Sequence, residues 1–405
     1  MQKARAFFFV CAGLFLLALM PVASRAQGAA RSMDIDTSIR AAGMGGASAG
    51  VTWGDPNVWG NVASLSRVSG VRWEHTFTQL VPGLADDVWL RSNRLLVGAF
   101  GVGVSLLGVP AVMDGVYLDY GTSHETDESG TVSGSFSSFE TVNGQALAFS
   151  LPKTLDALTS SNGGAMHLSD VFDLSLGLSR KRTYVELAPS RLGGTAEATT
   201  YDYGVQARFS PLWLLSAPAN SGSLDPRDLV LFDLGLGYSM RNAMGGNFVF
   251  VANEPSSPAT RMRHAGVAMR LGVRMPRLDA SGPLATLFEG VDPLVAVGFA
   301  SDHDACANTR AYKVTHSGYE ITIANVFSIR RGHWTDRLGE IDGPTSGWGL
   351  GIPLGPWAGF RYDKGTVPQA TTLPDVTRRG WTVWCDAVRV WRDLGAGSGG
   401  HEHAR

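Results

Sequence analysis

Along most of this chain apolar and polar side chains take turns. Phe172, Leu174, Leu176 and Leu178 stand against Asp173, Ser175, Gly177 and Ser179, and the same split runs through 201–209, 232–240 and 264–274. A period of two marks strands with one apolar face. The strands so predicted cover residues 71–79, 85–93, 96–107, 138–151, 170–181, 197–210, 228–241, 261–275, 292–302, 313–323, 325–334, 344–353, 355–363 and 380–391. Their polar faces mix charge with glycine, as a wet or filled lumen requires. The pattern therefore predicts an all-β fold, a transmembrane antiparallel β-barrel of about 14 strands with its apolar face toward lipid. A soluble exported β-sandwich alternates in the same way and competes on pattern alone.

The connections differ in character. The polar stretches 121–137, 186–196, 242–260 and 276–291 read as extracellular loops, and Ile323-Ala324-Asn325 as a periplasmic turn. Leu212 to Leu215 reads as a short apolar patch in a loop.

Upstream of the strands, Lys3 and Arg5, the apolar run Ala6 to Leu19 and Ser24-Arg25-Ala26 have the order of a secretory leader cleaved before Gln27. Without residues 1–26, 31 basic residues face 36 acidic ones, a balance near −5 with no basic footprint for nucleic acid. No later run of 18 apolar residues occurs, so a spanning protein has to be a closed barrel. Fifty glycines with only 17% charged residues suit Gly-rich strands better than a helical enzyme. Cys306 and Cys385 remain after the leader and form no disulfide framework; they are read as a pair or as two free thiols.

Residues 40–66, RAAGMGGASAGVTWGDPNVWGNVASLS, break the alternation. Small residues there let backbone approach backbone, so the segment is read as a compact insert filling the lumen, with Asp55 capping a short helix over Val58 to Leu65. A barrel of this size is too wide for side chains alone to fill. The expected organisation is a leader at 1–26, a plug segment at 27–69, a barrel at 70–391 and a polar tail at 392–405. Gly46-Ala47-Ser48-Ala49-Gly50 fits a nucleophile elbow, and Gly43-x-Gly45 a dinucleotide loop, but no strand precedes either one.

The segment resembles the N-terminal pattern of FadL-like fatty-acid transporters and of the related PorV/PorQ barrels of type IX secretion. The matching positions are Gly43, Met44, Gly45, Gly46, Ala47, Asp55, Asn61, Ala63 and Leu65, with Val62 where the family has proline. Residues 318–352 look like the closing strands of the PorV side, through Gly318, Glu320, Arg330, Gly332, Gly347, Trp348 and Gly349. The resemblance implies an outer-membrane protein that is not an enzyme, acting in secretion or surface attachment, with membrane lipid, secreted cargo proteins and secretion components as partners. The alternative it implies is uptake of long-chain fatty acids or other hydrophobic small molecules. An uptake channel calls for a continuous apolar pocket under the plug, and a docking barrel for a blocked lumen.

Gly98, Gly101 and Gly103 crowd one predicted strand, where glycine permits a kink. In FadL-like barrels an early kinked strand opens a lateral exit, and the resemblance implies that role here; an ordinary bulge is the other reading. No cofactor is expected. His401-Glu402-His403 and Asp302-His303-Asp304 are short ligand-capable clusters without further ligands at defined spacing. Arg180, Lys181 and Arg182 read as a solvated strand end, and Arg208, Arg270 and Arg274 as lumen residues able to pair with Asp202 or Asp233.

Overall fold

The computed structural model describes residues 30–386 apart from 110–112, 160–166, 190–192, 213–228, 252–254, 275–292, 308–312, 356 and 371–372. The leader, the tail, Trp213, His401, Glu402 and His403 lie outside the described residues, as do residues 276–291.

The alternating segments form β1 (Gly70–Val81), β2 (Ala85–Ala99), β3 (Val102–Leu107), β4 (Val116–Thr126), β5 (Val132–Ser150), β6 (Phe172–Glu186), β7 (Thr195–Phe209) and β8 (Val230–Gly245). A small ribbon, β9 (Asn247–Phe248) and β10 (Ser257–Pro258), follows. The wall then continues through β11 (Met262–Val273), β12 (Val295–Cys306), β13 (Lys313–Ile323), β14 (Phe327–Asp336), β15 (Ile341–Leu354), β16 (Ala358–Val367) and β17 (Val376–Cys385).

Sequence neighbours pair antiparallel throughout, and β1 pairs with both β2 and β17, so the sheet closes and leaves no edge. β3 and β4 lie end to end between β2 and β5 and together fill one position. The result is a closed barrel of 14 strand positions. Three short α-helices, α1 (Ile39–Gly43), α2 (Leu151–Thr159) and α3 (Leu168–Val171), and two 3-10 helices, Arg31–Met33 and Val62–Arg67, complete the described elements. None of the described helices is long and apolar enough to cross a membrane.

The faces divide as the pattern requires. Leu178, Leu236, Val267 and Ile352 point outward and are more than half exposed, while their neighbours Gly177, Ser179, Asp302 and Arg330 turn to an inner surface. An outward chain of rings runs from Phe77 through Trp89, Tyr117 and Phe139 to Tyr184, with successive centroids 5.3–6.0 Å apart. Arg91 and Arg379 lie over its members. An apolar outer wall with an aromatic belt is the surface of a barrel that spans a bilayer. The soluble-sandwich reading fails on closure and on this outward apolar surface.

The register corrects several expectations. Residues 96–107 are not one strand: Ala99 pairs with Val102 across a two-residue turn at Phe100 and Gly101, both at positive φ as a type I′ hairpin needs. Residues 121–137 are largely the hairpin of β4 and β5 rather than a loop. Val273, Val295, Ile323 and Phe327 face one another in sequence across β11 to β14, so the connection from β11 to β12 leaves from the same barrel end as the Ala324-Asn325 turn. That end also holds the start of β1 and the end of β17. Cys306 is buried, Cys385 exposed, and both are free.

Candidate functional site

Residues 30–69 run inside the barrel and touch inner-face groups on most of the wall strands. Backbone contact is close wherever the wall carries glycine. A Cβ on Gly318 would lie 2.5 Å from the Met44 carbonyl, one on Gly98 2.5 Å from the Val68 carbonyl and one on Gly177 2.7 Å from the Ala63 amide. At Gly237 and Gly103 a Cβ would overlap the carbonyls of Ala49 and Leu65 outright. Glycine in these strands thus serves close approach of a second backbone.

On the side of β12 to β17 the segment is held by charge. Arg40 on α1 donates through Nε and Nη2 to Glu320 of β13 (3.0 and 2.6 Å), and the Trp53 indole donates to the same carboxylate at 3.0 Å. Arg330, whose side chain is fully buried, bridges Glu320 at 2.7 Å and Asp363 at 2.6 Å. Arg361 joins Asp363 at 3.0 Å. Asp55 pairs with Arg72 of β1 at 2.5 Å. Ionised groups at this depth persist because each has an opposite charge and directed hydrogen bonds.

A second polar cluster sits beside it. Asp302 accepts from the amides of Ser48 and Ala49, the latter at 2.7 Å, and contacts His264 Nε2 at 2.8 Å. His316 Nδ1 donates to the Gly45 carbonyl at 2.5 Å, which fixes that proton, and its Nε2 lies 3.4 Å from Asp304. Asp302 and Asp304 are therefore strand residues facing inward, while His303 faces out; they are not a loop cluster. Among the described residues no group of three or more His, Cys, Asp or Glu side chains is placed to hold a metal.

On the side of β2 to β7 the inner wall is apolar toward the barrel end away from the termini. Leu90, Leu107, Val116, Leu118, Val142 and Val185 form one buried cluster, completed by Ala196 and Ala198. Ala30, Met33, Trp59 and Phe248 fill its centre. Glu140 is the carboxylate there. It accepts from the Arg31 and Ser32 amides at 3.2 and 2.7 Å and from the Tyr120 hydroxyl at 2.6 Å, and so seats the 3-10 turn Arg31–Met33. Neighbouring Lys181 is buried, paired with Asp202 at 2.9 Å and set over the Trp59 ring, not at a solvated strand end. Arg208 pairs with Asp233 at 3.5 Å.

This apolar wall contains an interruption. β3 stops at Leu107 opposite Gly144, and β4 starts at Val116 opposite Val142, so on β5 only Asn143 lies between the two pairings. On β2 the corresponding residue is Asn93, whose carbonyl accepts from Gly108 at 3.2 Å and whose amide donates to the Gly115 carbonyl at 2.7 Å. Asp114 pairs with the outward Arg91 at 3.2 Å. Among the described residues, two inner cavities are small and partly polar: about 50 Å3 between α1, Asp55, Glu74 and Trp381, and about 20 Å3 beside Trp59 and Leu107. Each holds a few waters at most.

All nine motif positions of the N-terminal segment fall inside the barrel. Gly43 abuts Gly347 and Arg330, Gly45 donates to Thr345 at 2.8 Å, Gly46 packs on His316, and Ala47 joins Trp53 in a small cluster. Asn61 caps the 3-10 helix Val62–Arg67 and donates to the Val205 carbonyl at 3.0 Å, with Ala63 and Leu65 fully buried after it. Asp55 is an ion-pair partner and not the cap. Ser48, the elbow serine, has its hydroxyl 3.1 Å from Asn57 and its amide on Asp302.

The glycines read as a gate strand are separated. Gly98 lies on β2, Gly101 in the turn and Gly103 on β3, and the interruption follows at Gly108 and Gly115. Pro110, inside the apolar run Leu106 to Val112, was the sequence signal for that break. Sequence reading also missed the charged inner network, although Glu320 and Arg330 occupy inward places in their strands.

A closed 14-position antiparallel transmembrane barrel with an inner segment is the class this fold defines. No protein-family model and no curated protein matches the chain. Among solved structures it is similar to a deltaS2S3 mutant of the TodX monoaromatic hydrocarbon channel, with 11% identity, 85% of this chain and 96% of that chain covered and a TM-score of 0.44. It is also similar to the Pseudomonas putida toluene transporter TodX, at 12% identity, 90% and 98% coverage and a TM-score of 0.42. A Pseudomonas aeruginosa FadL homologue gives 10% identity, 86% and 96% coverage and a TM-score of 0.37. The fold assignment itself rests on the strand register described above.

Proposed function

We propose that this barrel resides in an outer membrane and passes a hydrophobic small molecule from its far end, through the apolar half of the lumen, to the bilayer beside Gly108 and Gly115. Residues 30–69 act as a plug, and the structure corresponds to the closed state. The observation that carries this reading is the apolar inner wall of β2 to β7, which surrounds the interrupted third strand position. A lumen built for water-soluble solutes is polar throughout; here Leu90, Leu107, Val116 and Leu118 converge where the ladder is broken. The solute's place is held by Met33, Trp59 and Phe248, so passage requires the 30–35 segment to withdraw.

The secretion reading drew on residues 40–66 and 318–352. Gly318, Gly332 and Gly347 contact Met44, Gly45 and Gly43, and Glu320, itself braced by Arg330, holds Arg40, so these positions serve the seating of the segment. Any barrel with such an insert needs them, whatever its task. They give no ground for preferring cargo proteins over a hydrophobe.

The test is uptake into proteoliposomes of a radiolabelled long-chain fatty acid and, in parallel, of a sugar. Wild-type protein should accelerate the fatty acid alone. A variant lacking residues 109–114, which joins Gly108 to Gly115 across Asn93, should keep the closed barrel fold and lose that acceleration. Equal uptake by the two proteins would remove the lateral exit, and no acceleration by either would remove the transport reading.

A further inference from the structure

The outer wall carries a groove that the lumenal reading does not use. It crosses β8 and β11 to β14 as a shallow, open depression of about 610 Å3. Two adjacent rungs of the sheet build it. On one, Leu234, Met269, Phe299 and Tyr319 stand side by side and end at Arg331. On the next, Val267 is followed by Ser301, Ser317 and His333. The groove is thus apolar along one side and polar at one corner, where Ser317, His333 and Arg331 meet.

Its charge is unbalanced. His333 already contacts Asp342 at 2.8 Å, whereas Arg331, exposed and outward on β14, has no carboxylate partner among the described residues. An outward arginine in a membrane-spanning strand is disfavoured unless it meets an anion. A guanidinium with neighbouring hydroxyls matches the oxygens of a phosphate in a forked geometry. Five apolar side chains beside it supply a surface for acyl chains.

We propose that this groove is a binding site for a phosphorylated membrane lipid, with its phosphate on Arg331, Ser317 and His333 and an acyl chain along Phe299, Tyr319 and Val267. The site is independent of passage through the lumen, since every named residue faces the bilayer. Its occupant is a lipid of the surrounding leaflet.

The test is native mass spectrometry of the full barrel released from mixed micelles containing either phosphatidylglycerol or phosphatidylcholine. Wild-type protein should retain phosphatidylglycerol at least tenfold better than phosphatidylcholine. Arg331→Gln should abolish that preference, and Phe299→Ala should lower retention of both lipids. Lys364→Gln, a change of an outward cation beyond the groove, should leave the preference intact and controls for total charge. Circular dichroism melting of each variant shows whether it is folded. Equal retention of the two lipids by wild-type protein, or an unchanged preference in folded Arg331→Gln, would overturn the proposal.

Discussion

The two sides of the barrel hold one and the same segment by different physics. Toward β12–β17 it is fastened by Arg40 on Glu320, by Asp302 on two successive amides and by His316 on the Gly45 carbonyl. Toward β2–β7 residues 30–35 mainly lean on apolar side chains, with Glu140 on the Arg31 and Ser32 amides as their directed contact, while Gln206 and the Val205 carbonyl of β7 bind the segment further along, at Ala49, Val51 and Asn61. A buried ion network resists displacement because each partner, left alone, is an uncompensated charge. Apolar contacts are non-directional, and another apolar body can replace them. On the proposed reading the difference teaches which part moves: residues 40–50 are the fixed root, and residues 30–35 the cover over a surface that a hydrophobe would occupy instead.

The most disruptive way to break the comparison is to remove the root. Glu320→Gln leaves Arg40 and Arg330 short of a counter-charge, and a loss of about 3–5 kcal/mol is expected for an orphaned buried pair. Unfolding in urea from lipid vesicles reads this out; a change below 1 kcal/mol would mean that the network is solvated and holds nothing. Next comes Gly237→Val, which forces the wall into the Ala49 carbonyl. Overpacking of this kind costs about 1–3 kcal/mol. The variant should show ion conductance in planar bilayers, and wild-type protein almost none. Unchanged conductance would place the seal elsewhere.

The smallest effect lies outside the bilayer, at the tip joining β4 and β5. There the Ser129 hydroxyl, then the Thr131 amide, donate to the Asp127 carboxylate and hold its pKa below the ordinary value. Because the folded value is the lower one, the tip's stabilisation is complete above the ordinary carboxylate range near pH ~4 and fades as pH falls through the depressed value. Amide exchange at the tip should rise with acid in wild-type protein and be flat in Asp127→Asn. A rise of the same size in both would assign the change to another group.

Strand faces were legible in the sequence because a period of two is local: Leu176 and Leu178 outward, Asp173 and Ser175 inward follow from order alone. The glycine-rich insert was legible for the same reason, being the one stretch that breaks the period. The hairpin at Phe100 was not. Phe100 adopts positive φ at a position where glycine or asparagine would have announced the turn. The buried network was hidden differently. Arg40 and Glu320 lie 280 residues apart, and no local pattern says that a lumenal carboxylate meets a cation of the insert. The apolar half of the lumen escaped because Val142 and Val185 sit on faces that are polar elsewhere along the same strands.

The central claim is that the cover moves while the root stays. Hydrogen exchange of the barrel in lipid, with and without a long-chain fatty acid, tests it most directly. The account predicts that the fatty acid speeds exchange at the Arg31 and Ser32 amides and leaves Gly45, Ser48 and Ala49 protected. Loss of protection at Ser48 and Ala49, or no change at Arg31 and Ser32 while the fatty acid is demonstrably bound, would contradict it.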